Sequence, residues 1–112
     1  MKHEMHLDTV QFNEMSNGIK IIESRLYDEK RQKIIVGDTI EFCKRPECIE
    51  KVKVKIVELH RYKNIKELVD STPIEYWGPR FKSKEQLLNS SWHYTEEEIK
   101  RYGLLAIKIV KL

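Results

Sequence analysis

Lys20, Glu23 and Arg25 stand together in one short aliphatic stretch, NGIKIIESRL over residues 17–26, immediately after an Asn-Gly break. An ammonium and a carboxylate among branched aliphatics are ingredients of acid–base chemistry. A desolvated lysine near a carboxylate can act as a base, and a glutamate can activate a water while Lys20 or Arg25 steadies the resulting oxyanion. The same residues support a purely structural reading, because Glu23 and Arg25, two apart on an extended chain, make an intrastrand ion pair. If residues 19–26 form one strand, side chains alternate between faces. Glu23 and Arg25 then share a face with Ile19 and Ile21, while Lys20 shares the other with Ile22, Ser24 and Leu26. Lys20 and Glu23 meet only if a bulge re-aims one of them.

Around this stretch lie groups suited to a nucleic acid. Lys20, Arg25, Lys30 and Arg31 can contact phosphates, and Tyr27, Tyr76 or Trp77 can stack on an unpaired base. For each aromatic the competing role is to cover the core. His3, His6, His60 and His93 have no partner at a metal-ligand spacing, so no metal and no cofactor are expected. Cys43 and Cys48 enclose four residues in CKRPEC, which is not the spacing of a CxxC site, and no second pair completes a zinc centre. Both are expected to be free thiols of a reducing compartment.

These groups need a scaffold, and 112 residues suffice for one domain with one core. Charged residues make up 35% of the chain and aliphatics run throughout it, a globular balance. No apolar run approaches the roughly 18 residues of a membrane span, and MKHEMHLDTV lacks the apolar core of a signal peptide. A cytoplasmic protein with no membrane partner is expected. The net charge is +3, and its excess is central: residues 18–66 carry thirteen bases against eight acids, whereas residues 67–112 carry seven of each. Such a bias attracts phosphate without requiring it.

The elements follow from periodicity and stop signals. Leu7, Val10, Met15 and Ile19, with Phe12, predict a helix near 8–17, capped by Asp8 or Thr9 and ended by Asn17-Gly18. The run YDEKRQK reads as a loop or helical turn. Ile34, Ile35 and Val36 then return to the core before the Gly37-Asp38 turn. Thr39–Cys43 alternates as a strand, CKRPEC reads as a hairpin loop, and 49–59 alternates Val52, Val54 and Ile56 with Lys51, Lys53 and Lys55. Ile65, Leu68 and Val69 predict a short helix ending near Asp70. Residues 73–92 form an aromatic excursion containing a short helix near 83–89. Thr95 and Glu98 form a capping box for a helix stopped by Gly103, and 104–112 closes as a strand. Helices interrupting a few mostly antiparallel strands predict an α+β fold with a small, curved, barrel-like sheet.

The pattern Gly18-x-Lys20-x-x-Glu23-x-Arg25 after a short helix, then Asp28, Lys30 and Arg31, then Val36-Gly37-Asp38-x-Ile40-x-Phe42, resembles the ASCH domain family. The closing YGLLAIKIV also looks like that family's last strand, so the likeness spans most of the chain. It implies a PUA-like mixed β-barrel flanked by short helices, with residues 1–112 as a single domain. It also implies a cleft, lined by the first strand, that binds RNA or a nucleotide-like ligand. Some small members are amidohydrolases that remove the acetyl group of 4-acetylcytidine. Lys20 matches their lysine; three residues on they carry a threonine, where this chain has Glu23. Their glutamate after the long strand falls in the region of Glu75.

Three functional classes are therefore open. The first is an RNA- or nucleotide-binding module using Lys20, Arg25, Tyr27, Lys30, Arg31, Tyr76 and Trp77. The second is an amidohydrolase of an acylated nucleoside using Lys20, Glu23 and Glu75. The third is a protein-interaction module built on the aromatic segment 76–92. The first is the principal expectation.

Overall fold

Alternation in the long lysine-rich segment dictates the centre of the molecule. A computed structural model, describing residues 1–112, places β4 at Lys51–Tyr62, with Val52, Val54 and Ile56 buried and Lys51, Lys53 and Lys55 in solvent. Around it run β1 (Lys2–Leu7), α1 (Thr9–Ser16), β2 (Ile22–Leu26), β3 (Thr39–Lys44), α2 (Ile65–Ser71), α3 (Lys84–Leu88), α4 (Glu96–Tyr102) and β5 (Leu104–Lys111). The strands form one sheet in the order β1-β3-β4-β5-β2. All neighbours pair antiparallel except β1 and β3, which are parallel. A register shift between Ile56 and Glu58 bends β4, and the sheet curls into a half-barrel.

The expected α+β class and curved sheet are both present. β5 divides two cores: Leu105, Ile107 and Ile109 point into the concave side with Phe42, Val54, Phe12 and Met15. Leu104 and Ala106 point outward to Ile22, Leu68, Trp77, Leu87 and Ile99, which belong to β2, the helices and the aromatic segment. The helices are short and depend on caps. Asp8, Asn64, Ser83 and Thr95 each accept a first-turn amide, and Thr95 with Glu98 forms the full capping box. No helix is long and apolar enough to cross a membrane.

One element was not expected, and three local expectations are corrected. The N-terminal residues His3 and His6 lie on a strand, β1, which joins the sheet edge by parallel pairing that only a distant partner could specify. β2 begins at Ile22 rather than residue 19. Of Ile34, Ile35 and Val36 only Ile34 is buried; the other two are exposed at the Gly37 turn. Cys43 and Cys48 are not free thiols but a disulfide. Cys48 adopts a positive φ of 57°, which folds the turn back and brings the two Cα atoms to 4.7 Å.

Candidate functional site

The start of β2 is delayed by the way α1 ends. Gly18, at φ 76°, reverses the chain, and the Glu14 carbonyl accepts both the Ile19 amide at 3.0 Å and the Lys20 amide at 3.2 Å. The next amide, Ile21 N–H, donates to the Tyr76 carbonyl at 2.9 Å. Lys20 is thereby fixed before the strand ladder with β5 begins, so strand alternation does not govern its direction. Its ammonium reaches 4.0 Å from Glu23 Oε1, the meeting that a continuous strand forbids.

Lys20 is 2% exposed and Glu23 5%, an unusual depth for two opposite charges. Glu23 Oε1 accepts the Ser24 amide at 2.9 Å, and Oε2 lies 3.0 Å from Arg25 Nη1 without an aligned N–H donor. Arg25 is held in turn by the Ser24 carbonyl at 2.9 Å and the His6 carbonyl at 3.0 Å. Lys20 has no such bond; its ammonium lies 4.9 Å from the centre of the Trp77 ring. Burial lowers the Lys20 pKa, with Arg80 and Arg25 acting in the same direction and Glu23 and Glu14 opposing. Burial alone raises that of Glu23, but Arg25, Lys20 and the Ser24 amide outweigh it and hold the carboxyl below its ordinary value.

These residues floor a cleft of about 320 Å³ whose far wall is the aromatic segment: Trp77, Phe81, Trp92 and Tyr94, with Arg80 at the side. The wall is anchored at several points. The Tyr94 hydroxyl donates to the Ser24 carbonyl at 2.6 Å, Trp92 packs edge-on to Trp77 at 5.9 Å, and Trp77 Nε1 donates to Thr72 Oγ1 at 2.9 Å. Burial raises the Tyr94 pKa, keeping the phenol in its donating form. A second hollow of about 400 Å³ shares Glu23, Arg25, Tyr94 and Asp8 and continues toward His6 and Arg45, so the cleft is the inner end of a longer groove. The cleft itself balances cations against acids: Lys20, Arg25 and Arg80 face Glu23 and Asp8. This is a site with both donors and acceptors, not a uniformly basic track.

Lys20, Glu23, Arg25 and Trp77 are brought together, while the other residues picked from the sequence lie elsewhere. Tyr27 is half-buried beneath the Arg61 guanidinium, 4.1 Å away. Arg31 bonds Asp28 through both its amide and its side chain, and Lys30 borders a shallow depression beside Lys2, His3 and Glu4. Tyr76 packs under Lys108, and Glu75 is exposed on the 3-10 turn Ile74–Trp77. The acid behind the cleft is instead Glu14. It is 6% exposed and accepts from Arg80 Nε at 2.9 Å. Its signal in the sequence was a carboxylate within the apolar side of α1, next to Met15. Trp92, Tyr94 and Arg80 were hidden in an aperiodic segment.

A curled, mixed five-strand half-barrel with α1 packed on one face and the other helices on the opposite face is an α+β module of the PUA-like type. The chain belongs to the ASCH domain family, whose model matches residues 5–112. It is similar over its whole length to the crystal structure of hypothetical protein PH0355, with 37% identity, full coverage of that chain and a TM-score of 0.85. It is also similar to the solution structure of protein PF0455 from Pyrococcus furiosus, with 34% identity, 98% of that chain covered and a TM-score of 0.74. No curated protein matches the sequence.

Proposed function

We propose that the chain binds RNA or a nucleotide-like ligand by taking one unpaired base into the cleft between β2 and the aromatic segment. The observation that carries this reading is the near-buried Lys20 ammonium. At 4.0 Å from the Glu23 carboxylate it is beyond hydrogen-bond distance, and it faces a pocket walled by Trp77 and Trp92. Burying a charge without hydrogen bonds is costly, and an acceptor on a ligand relieves that cost. A nucleobase offers such an edge together with a flat face for the aromatic wall, the combination by which single-stranded RNA is read. Arg25, Arg45 and His6 along the groove provide for the sugar and phosphate that follow. Membership of a family proposed to bind RNA agrees with this.

Both tryptophans of the chain line the cleft, so intrinsic fluorescence reports its occupancy. Titration with nucleosides, nucleotides and short single-stranded RNAs at several salt concentrations is expected to quench that emission, with Lys20→Ala and Arg25→Ala abolishing the effect. Equal affinity in the folded variants would overturn the reading.

The 4.0 Å approach of Lys20 to Glu23 favours a second reading, hydrolysis of an acylated nucleoside such as 4-acetylcytidine. Glu23 would orient and deprotonate a water, and Lys20 would stabilise the oxyanion and return a proton to the leaving amine. Incubation with 4-acetylcytidine and chromatography of the products, beside Lys20→Ala and Glu23→Gln, decides it. Absence of turnover leaves the binding function alone.

A further inference from the structure

The parallel pairing of β1 with β3 sets His6 directly opposite Cys43. The CKRPEC turn returns Cys48 to the same point, and the His6 ring nitrogen and both sulfurs lie within 4.8 Å of one another. None of this is visible in the spacing of these residues along the chain, where His6 is remote from CKRPEC. The cluster lies outside the Lys20–Glu23 cleft, at the free edge of the sheet. His6 is exposed, Cys48 half-exposed and Cys43 buried, so the group is anchored on the inside and open on the outside.

We propose that, when its disulfide is reduced, the chain binds one zinc ion through Cys43, Cys48 and His6. Two thiolates and an imidazole suit this borderline-soft ion, and three protein ligands leave a fourth position for water. A dithiol reductant is oxidised to its own disulfide and gives two electrons and two protons to the Cys43–Cys48 bond, which becomes two thiols. Zinc then displaces both thiol protons to solvent and takes the lone pair of the neutral His6 ring. Two Zn–S bonds of about 2.3 Å at a tetrahedral angle need the sulfurs about 3.8 Å apart. The sulfurs must therefore part on reduction, and Cys48, on the turn, is the ligand that the β1–β3 ladder does not hold, as it holds Cys43 and His6.

Disulfide and metal are thus alternative locks on one turn. That turn carries Arg45, which lines the outer groove beside Arg25. His6 and Arg45 both line that outer groove, so zinc uptake is read with no ligand of the cleft present.

The test uses the full chain, reduced with dithiothreitol, freed of reductant under nitrogen and titrated with Zn2+ against a chromogenic chelator. Reduced protein is expected to take up one equivalent and oxidised protein none. Cys43→Ser and Cys48→Ser should abolish uptake. His6→Ala, at an exposed side chain that the fold does not need, should weaken it at least about tenfold. Co2+ in place of zinc should show thiolate charge-transfer absorption that Cys48→Ser removes. Failure of the reduced chain to bind, binding that survives Cys43→Ser, or affinity indifferent to His6→Ala in variants of unchanged circular dichroism would overturn the proposal.

Discussion

Gly78 leaves open the space that the Glu14 carboxylate fills: a Cβ built on Gly78 would stand 2.7 Å from Glu14 Oε2. Gly78 also has φ 102° and ψ 167°, a region essentially closed to other residues. It is the hinge between the 3-10 turn bearing Trp77 and the segment bearing Arg80 and Phe81. Gly78→Ala is therefore expected to destabilise the fold by about 1–3 kcal/mol from backbone strain alone. By pushing Glu14 aside it should also release Arg80 from the cleft. Denaturant unfolding measures the first effect and tryptophan emission the second. Unchanged values of both would show that Glu14 does not need this gap.

Glu23, itself only 5% exposed, holds two cations, Lys20 at 4.0 Å and Arg25 at 3.0 Å. Removing its charge while keeping its shape leaves both without their buried partner. Glu23→Gln is expected to cost about 3–5 kcal/mol of stability, the penalty for breaking a buried pair from one side. Urea unfolding at neutral pH measures it. A cost below about 1 kcal/mol, the value of an exposed pair, would mean that water screens the site in solution.

Much of the scaffold was legible because local signals and global packing agree. The β4 alternation, the Thr95–Glu98 capping box and the Gly103 stop each name one structure and receive it. The Lys20, Glu23 and Arg25 cluster was also legible as unusual chemistry in an aliphatic stretch. Its geometry was not, because alternation assumes a strand from residue 19, and the Glu14 carbonyl and Tyr76 carbonyl postpone that strand to Ile22. β1 was missed for a similar reason. A parallel edge strand with only Met5 and Leu7 buried has little periodic signal and depends on β3, more than thirty residues away. The aromatic wall has no period at all. Its order comes from single long-range bonds, such as Tyr94 to Ser24, that no local pattern announces.

That bond is a direct handle on the wall. Tyr94→Phe keeps the ring but removes the donor to the Ser24 carbonyl, which retains Arg25 as a partner. The expected stability loss is small, about 1 kcal/mol. The wall segment 90–94 has few other ties to β2, so faster amide exchange there, with β4 and β5 unaffected, should accompany the change. Exchange rates equal to the unsubstituted chain would show that packing of Trp92 against Trp77 suffices to hold the wall.

Asp38 gives the fold an acid-sensitive point far from the cleft. Its carboxylate lies 2.8 Å from His3 Nε2, 3.0 Å from the Met1 ammonium and 3.2 Å from the Ile35 amide. The His3 contact and then the Met1 ammonium lower its pKa from 3.8 to about 2. A carboxyl depressed in the fold adds stability that is fully present above its unfolded value and lost as pH falls through the folded one. Asp38→Asn should thus be less stable than the natural chain near neutrality. The gap should close between pH 4 and about 2. Parallel thermal midpoints across that interval would contradict the linkage.

Lys20→Met separates stability from binding. Burial, the largest influence on the lysine, disfavours its charged form, and the net effect is a lowered pKa. The unfolded chain then holds this proton up to 10.5 while the folded chain gives it up earlier. Stability of the natural chain rises with pH through that interval and carries the full penalty below it. Methionine fills a similar volume without charge, and Glu23 keeps Arg25 as its partner. The variant is expected to melt at a higher temperature than the natural chain at neutral pH, with the advantage shrinking toward pH 10.5, and to lose quenching by any ligand of the cleft. Lower stability at neutral pH would mean that Lys20 holds Glu23 in place, and retained quenching would remove the ammonium from recognition.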